Sequence, residues 1–96
     1  MTSQADSYTK GAGLPTLLSG ASATFNGLDG ANKRKQIVLR NLGTSAGTLQ
    51  IKDGAGTIMA LLDPGDPPWT MESNGSYTIT ASGGNCNYSA GETFYS

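Results

Sequence analysis

Ser76-Tyr77-Thr78-Ile79-Thr80-Ala81 is the stretch whose reading decides the fold. Tyr77, Ile79 and Ala81 fall on one side of an extended chain and Thr78 and Thr80 on the other, the period of two that marks a half-buried strand. Aromatic and β-branched residues fill it, which suits the crowded surface of a sheet. Asn74-Gly75 before it reads as the turn of a hairpin and Gly83-Gly84-Asn85 after it as a further turn, so the strand is short.

The same pattern extends in both directions. Towards the C-terminus, Cys86 and Tyr88 take inward positions, and Ala90-Gly91 reads as a turn into a last strand over residues 92–95. Towards the N-terminus, Ile37 and Leu39 alternate with Gln36, Val38 and Arg40, and Leu49 and Ile51 alternate with Gln50 and Lys52. The intervening Gly-Thr-Ser-Ala-Gly at residues 43–47 predicts a hairpin between those two strands. Asp53-Gly54-Ala55-Gly56 is the strongest local turn signal, because glycine accepts the positive φ that tight hairpins demand.

Ile58-Met59-Ala60-Leu61-Leu62 does not alternate, which predicts a strand covered on both faces, central or at an interface. Asp63-Pro64-Gly65-Asp66-Pro67-Pro68 then breaks any ladder, since proline lacks an amide donor. That loop is where a Greek key could carry the chain between sheets. Trp69 and Met71 follow on one face of a short edge strand shielded by the prolines.

Upstream, residues 14–34 place Leu14, Leu17, Leu18 and Phe25 among Pro15, Gly20 and Gly27, which fits short strands and a turn rather than a helix. Residues 1–13 are polar and rich in small side chains, closing on Gly-Ala-Gly. They read as an N-terminal arm that either frays or orders on a neighbour. The expectation is one all-β domain over residues 14–96, a β-sandwich of jelly-roll or related Greek-key or barrel type with about eight or nine strands, preceded by the arm.

Composition narrows the function. The 96 residues carry six basic and seven acidic side chains, a net charge of −1, which argues against nucleic acid as a partner. No apolar run approaches the length of a membrane span, and the first residues lack the pattern of a secretory signal, so a soluble protein made in the cytoplasm is expected. Only 14 % of the residues are charged, which suggests that a partner, a homo-oligomer included, covers part of the surface.

The chain contains no histidine, so the usual triads and the commonest neutral-pH base are missing. Asp53, Asp63, Asp66, Glu72 and Glu92 read as solvated acids rather than a glycosidase pair. Asp63 and Asp66 lack the spacing of a calcium loop. Cys86, the single cysteine, reads as a small core residue, with a reactive thiol or an intermolecular bridge as the other reading. No catalytic residue, metal site or cofactor is expected.

The binding candidates are of two kinds. Ser3, Gln4, Asp6, Tyr8 and Lys10 belong to the arm. Lys33 and Arg34, with Lys35, form the one basic cluster, read as a solvated turn or a handle for an acidic protein surface. Met59 and Leu61 lie in the non-alternating strand, and Trp69 reads either as a lid on the sandwich or as an interface anchor. Tyr77 and Tyr88 are expected in the core.

Three runs carry a family resemblance: IVLRNLG at residues 37–43, GTLQIKDGAGTIMALLDPG at 47–65 and NGSYTITASGGNCNYSAG at 74–91. In style the chain resembles the small all-β capsid decoration, or cement, proteins of tailed bacteriophages. The resemblance implies a virion protein on the outer capsid surface, made in the host cytoplasm, often trimeric, with the major capsid protein as its partner. It brings no invariant motif to match. A carbohydrate- or receptor-binding tip domain of a phage fibre or spike is the alternative, with Trp69 and a loop tyrosine as its platform.

Overall fold

The computed structural model describes residues 8–11, 15–27, 34–73 and 75–95, and among them the fold is all-β. Nine strands follow one another: β1 (Tyr8–Gly11), β2 (Thr16–Leu17), β3 (Ser22–Phe25), β4 (Arg34–Asn41), β5 (Thr48–Asp53), β6 (Ile58–Leu62), β7 (Trp69–Ser73), β8 (Tyr77–Ser82) and β9 (Cys86–Tyr95). One sheet has the order β1-β9-β4-β7, with β2 also pairing β9, and the other has β3-β8-β5-β6. Every pairing is antiparallel. This is the small β-sandwich that the alternation predicts.

The inward positions agree closely with the sequence pattern. Ile37, Leu39, Leu49, Ile51, Tyr77, Ile79, Ala81, Cys86 and Tyr88 are all buried, and with Leu17, Leu62 and Ala90 they make one core between the sheets. Thr78 and Thr80 lie on the opposite face of β8 and meet hydroxyls of β3, Ser22 at 2.7 Å and Thr24 at 3.3 Å.

The connections differ from the sequence reading. β4 and β5 are not a hairpin: they lie in different sheets, and the loop between them crosses the sandwich. The same holds across Asn74-Gly75, where β7 belongs to one sheet and β8 to the other. A turn between two amphipathic strands looks alike in sequence whether the strands then pair or face each other across a core. Asp53–Gly56 does form the expected hairpin, with Gly56 at φ 88° and the Asp53 carboxylate accepting the amides of Ala55 and Thr57, both at 2.9 Å. The Pro-rich loop carries the chain from β6 to β7 and so changes sheets, as its prolines suggest.

Ala90-Gly91 is no turn. β9 runs unbroken through it for ten residues, keeping Cys86, Tyr88, Ala90 and Glu92 inward. Gly91 lies in the middle of the sheet, with Gly11 on one neighbouring strand and Val38 on the other.

β6 departs furthest from expectation, for it is an edge strand and not a central one. A register shift against Ile51 and Lys52 leaves Met59 as the extra residue between Ala60 and Ile58. That bulge is the physical reason for the missing alternation. Met59 and Ala60 both pack against the core, while Ile58 and Leu61 stand 51 % and 57 % exposed.

Two crossing loops lock one end of the sandwich. Ala46 and Gly47 donate their amides to the Asn85 carbonyl at 2.8 and 3.1 Å, and Ser45 Oγ exchanges hydrogen bonds with the Asn87 backbone at 2.9 and 2.8 Å. Asn41, fully buried, donates through Nδ2 to the carbonyls of Gly47 at 3.0 Å and Leu62 at 2.8 Å. One amide thereby satisfies main-chain acceptors on β4's neighbouring loop and on β6, which a buried carbonyl requires.

Candidate functional site

The arm residues fall partly inside the described structure. Tyr8 and Lys10 belong to β1, which pairs with the far half of β9 in the register Tyr8↔Phe94, Thr9↔Thr93, Lys10↔Glu92 and Gly11↔Gly91. Ser3, Gln4 and Asp6 lie outside the described residues, as does Lys33. Arg34 begins β4 opposite Tyr95. The attachment of β1 is a main-chain ladder, so its geometry makes no demand for a particular side chain.

The remaining candidates separate. Met59 is half-buried against the core, whereas Leu61, two residues on, is exposed on the same edge strand. Trp69 starts β7, the short edge strand expected after the prolines, opposite Leu39, with Met71 opposite Ile37. The indole of Trp69 and the thioether of Met71 pack against the core and stay half-buried, so β7 covers one margin of the sandwich. Tyr77 and Tyr88 are core residues, which removes them as partners for Trp69 in a sugar platform.

The acids of the proline loop are used in closing it. Asp66 Oδ2 accepts the Asp63 amide at 2.7 Å, the Asp66 amide returns to the Asp63 carbonyl at 3.0 Å, and Thr48 donates to Asp63 Oδ1 at 3.0 Å. Among the described residues no group of three or more His, Cys, Asp or Glu gathers to hold a metal ion.

Two charges that read as solvated are buried instead. Lys35 and Glu92 sit on inward positions of adjacent strands, with the Lys35 side chain fully covered and that of Glu92 8 % exposed. Lys35 Nζ lies 2.8 Å from Glu92 Oε2, donates to the Asn26 carbonyl at 2.5 Å and stands 4.9 Å from the centre of the Tyr77 ring. Phe25 stacks on Tyr77, with the rings 4.7 Å apart and within 5° of parallel. Burial, then the Glu92 charge, hold the Tyr77 phenol protonated far above its ordinary range. Its Oη lies buried beside Glu92 without a well-directed hydrogen bond.

The signal for this cluster is faint but present. Counting back by two from Ile37 puts Lys35 on the inward face, and the same count from Tyr88 through Ala90 puts Glu92 there. A sequence reading that places a chain reversal at Gly91 loses the second count, and one that treats residues 33–35 as a single basic cluster loses the first.

No protein-family model matches the chain and no curated protein matches it. Among solved structures, a subunit described as "Bacillus endospore appendages form a novel family of disulfide-linked pili" aligns over 94 % of this chain and 88 % of its own. Its TM-score is 0.62 and its identity 11 %. The Cupin_2 domain of an XRE family transcriptional regulator from Enterobacter cloacae aligns over 91 % of this chain and 94 % of its own, with a TM-score of 0.53 and 14 % identity. The likeness is one of fold. A small jelly-roll-like β domain is what the three proteins share.

The disulfide linkage of the pili has no evident counterpart in Cys86. That thiol is fully buried, and desolvation raises its pKa above the ordinary value, which disfavours the reactive thiolate. Cys86 is therefore expected to stay unmodified by a thiol reagent such as DTNB in the native protein and to react at once in guanidinium chloride. Rapid native labelling would show that the core opens far more readily than its packing implies.

Proposed function

We propose that this chain is a non-enzymatic virion structural protein, a decoration or cement protein that sits on the outer capsid surface and holds neighbouring capsid subunits together. The observation that supports this reading most directly is β1: the N-terminal residues pair as a strand on a sheet edge through main-chain bonds. A segment with that capacity can add to a sheet edge of a neighbouring molecule, the recognition mode in which backbone bonds supply affinity. The low charge and the exposed Ile58 and Leu61 on an open edge strand suit a surface that a partner covers.

The domain need not bind tightly as a single copy. Each ladder bond contributes only about 0.5–1.5 kcal/mol, and repetition over a lattice multiplies the effect. In this reading Ser3, Gln4, Asp6, Tyr8 and Lys10 meet the major capsid protein, and Lys33, Arg34, Met59, Leu61 and Trp69 serve contacts between copies or with the capsid. A trimer, placed around a local three-fold, is the expected oligomer.

Co-sedimentation with expanded heads of the phage that encodes the chain tests the proposal. The full chain is expected to pellet with the heads and to raise their resistance to heat. Removing residues 1–13, or placing a proline at Thr9 to interrupt β1, is expected to weaken association by roughly tenfold or more, the equivalent of one or two ladder bonds. Unchanged binding by both variants would remove the arm from the interface, and absence of the full chain from the pellet would refute the capsid reading itself.

A further inference from the structure

The buried Lys35–Glu92 pair is more than a tie between strands. We infer that Lys35 and Glu92 condense to form an intramolecular amide cross-link joining β4 to β9, made by the folded protein without a helper enzyme. The geometry brings the nucleophile and the acyl group together: Nζ and Oε2 are 2.8 Å apart, with side chains 0 % and 8 % exposed. Their approach is an ion pair without a directed hydrogen bond, since Glu92 Oε2 has no such partner.

Three features of the site favour condensation over a stable salt bridge. A buried ion pair is costly in a dry interior, so transfer of a proton from Nζ to the carboxylate, giving neutral amine and neutral acid, is far easier here than in water. The Asn26 carbonyl accepts from Nζ and orients the amine, while the Tyr77 and Phe25 rings wall the site from solvent. Enforced proximity between well-oriented groups reaches effective concentrations of about 10⁵–10⁸ M, which lowers the barrier to an amide bond that forms slowly between separate molecules in water.

The step balances without any co-reactant. After the proton transfer, the Nζ lone pair attacks Cδ of Glu92, and the developing oxyanion faces the Tyr77 hydroxyl, which has no other directed bond to satisfy. Collapse breaks one C–O bond. The departing oxygen leaves as water with two protons, both originally on the Lys35 ammonium, and the third stays on the amide nitrogen. Nothing is oxidised or reduced.

The intact mass of the natively purified full chain, measured under denaturing conditions, decides the matter. The expected value is lower than the sequence mass by one water molecule. Trypsin is expected to spare the bond after Lys35, and fragmentation to show a branched peptide joining Lys35 to Glu92. A Lys35→Met variant should return to its full sequence mass. A full sequence mass for the folded, aged wild-type chain would overturn the inference. So would a deficit of one ammonia, which would place the link on an amide side chain such as that of Asn26. A water deficit mapped to Asp53-Gly54, where a cyclic imide would form, would overturn it equally.

Discussion

Glu92→Ala is expected to destabilise the domain by about 3–5 kcal/mol, because it strands the Lys35 ammonium in the core, whereas the native Glu92 carboxyl group, paired or condensed with it, leaves no uncompensated charge there. Lys35 is fully buried, and the groups around it are a carbonyl, a phenol ring and the lost carboxylate. None of the first two can replace a full charge. Urea denaturation followed by tryptophan fluorescence measures the effect, with Trp69 at the margin of the core as the probe. The double variant Lys35→Met with Glu92→Leu leaves no charge at the site and keeps most of the volume, so it should be clearly more stable than the single one. If Glu92→Ala cost no more than an exposed acid, below about 0.5 kcal/mol, the burial of the pair would be wrong.

Gly47→Ala is expected to cost about 3 kcal/mol, the upper part of the range for overpacking. A Cβ at this position would stand 2.3 Å from the Gly84 carbonyl oxygen and 2.7 Å from its carbon. Both are backbone atoms, held by the hydrogen bonds from Ala46 and Gly47 to Asn85, so nothing flexible can yield. Gly43→Ala is the internal control, since a Cβ there meets nothing within 4 Å and the backbone lies outside the left-handed region. Thermal unfolding of the two variants should separate them by several degrees. Equal midpoints would mean that the crossing loops are not the rigid contact they form here.

The two variants probe different levels of what the sequence discloses. The strand pattern was legible because burial on one face imposes a period of two, and β8, β5 and the apolar part of β4 obey it without exception. The hairpin at Asp53–Gly56 was legible because glycine is needed for its positive φ. Partner choice was not, since the residues that turn a chain into a hairpin also turn it across a sandwich. Residues 43–47 and 74–75 illustrate this: each connects two sheets.

A central place for β6 fails for a related reason. A non-alternating apolar run has two physical origins, cover on both faces or a bulge that rotates part of the strand, and only the pairing with Ile51 and Lys52 distinguishes them. Of the candidate contacts, neither the exposure of Leu61 nor the pairing of residues 8–11 with β9 follows from the sequence pattern: the apolar run around Leu61 reads as covered on both faces, and residues 1–13 read as an arm that frays or orders on a neighbour. The buried Lys35–Glu92 pair was hidden because charged residues rarely go inside without a partner, and the partner lies 57 positions away along the chain.

β9 has a further consequence, for the order in which the molecule can be built. It is the strand to which β1, β2 and β4 all attach, and it is the last of the nine to be synthesised. Tyr8 cannot find its place opposite Phe94 while that residue is still inside the ribosome. Until β9 emerges, β4 and β7 have only one another, and the first sheet lacks its middle. The domain must therefore close after translation of its final strand, through contacts of long sequence separation that make folding slow. In that interval the unpaired edge of β4 is open to strands from neighbouring copies.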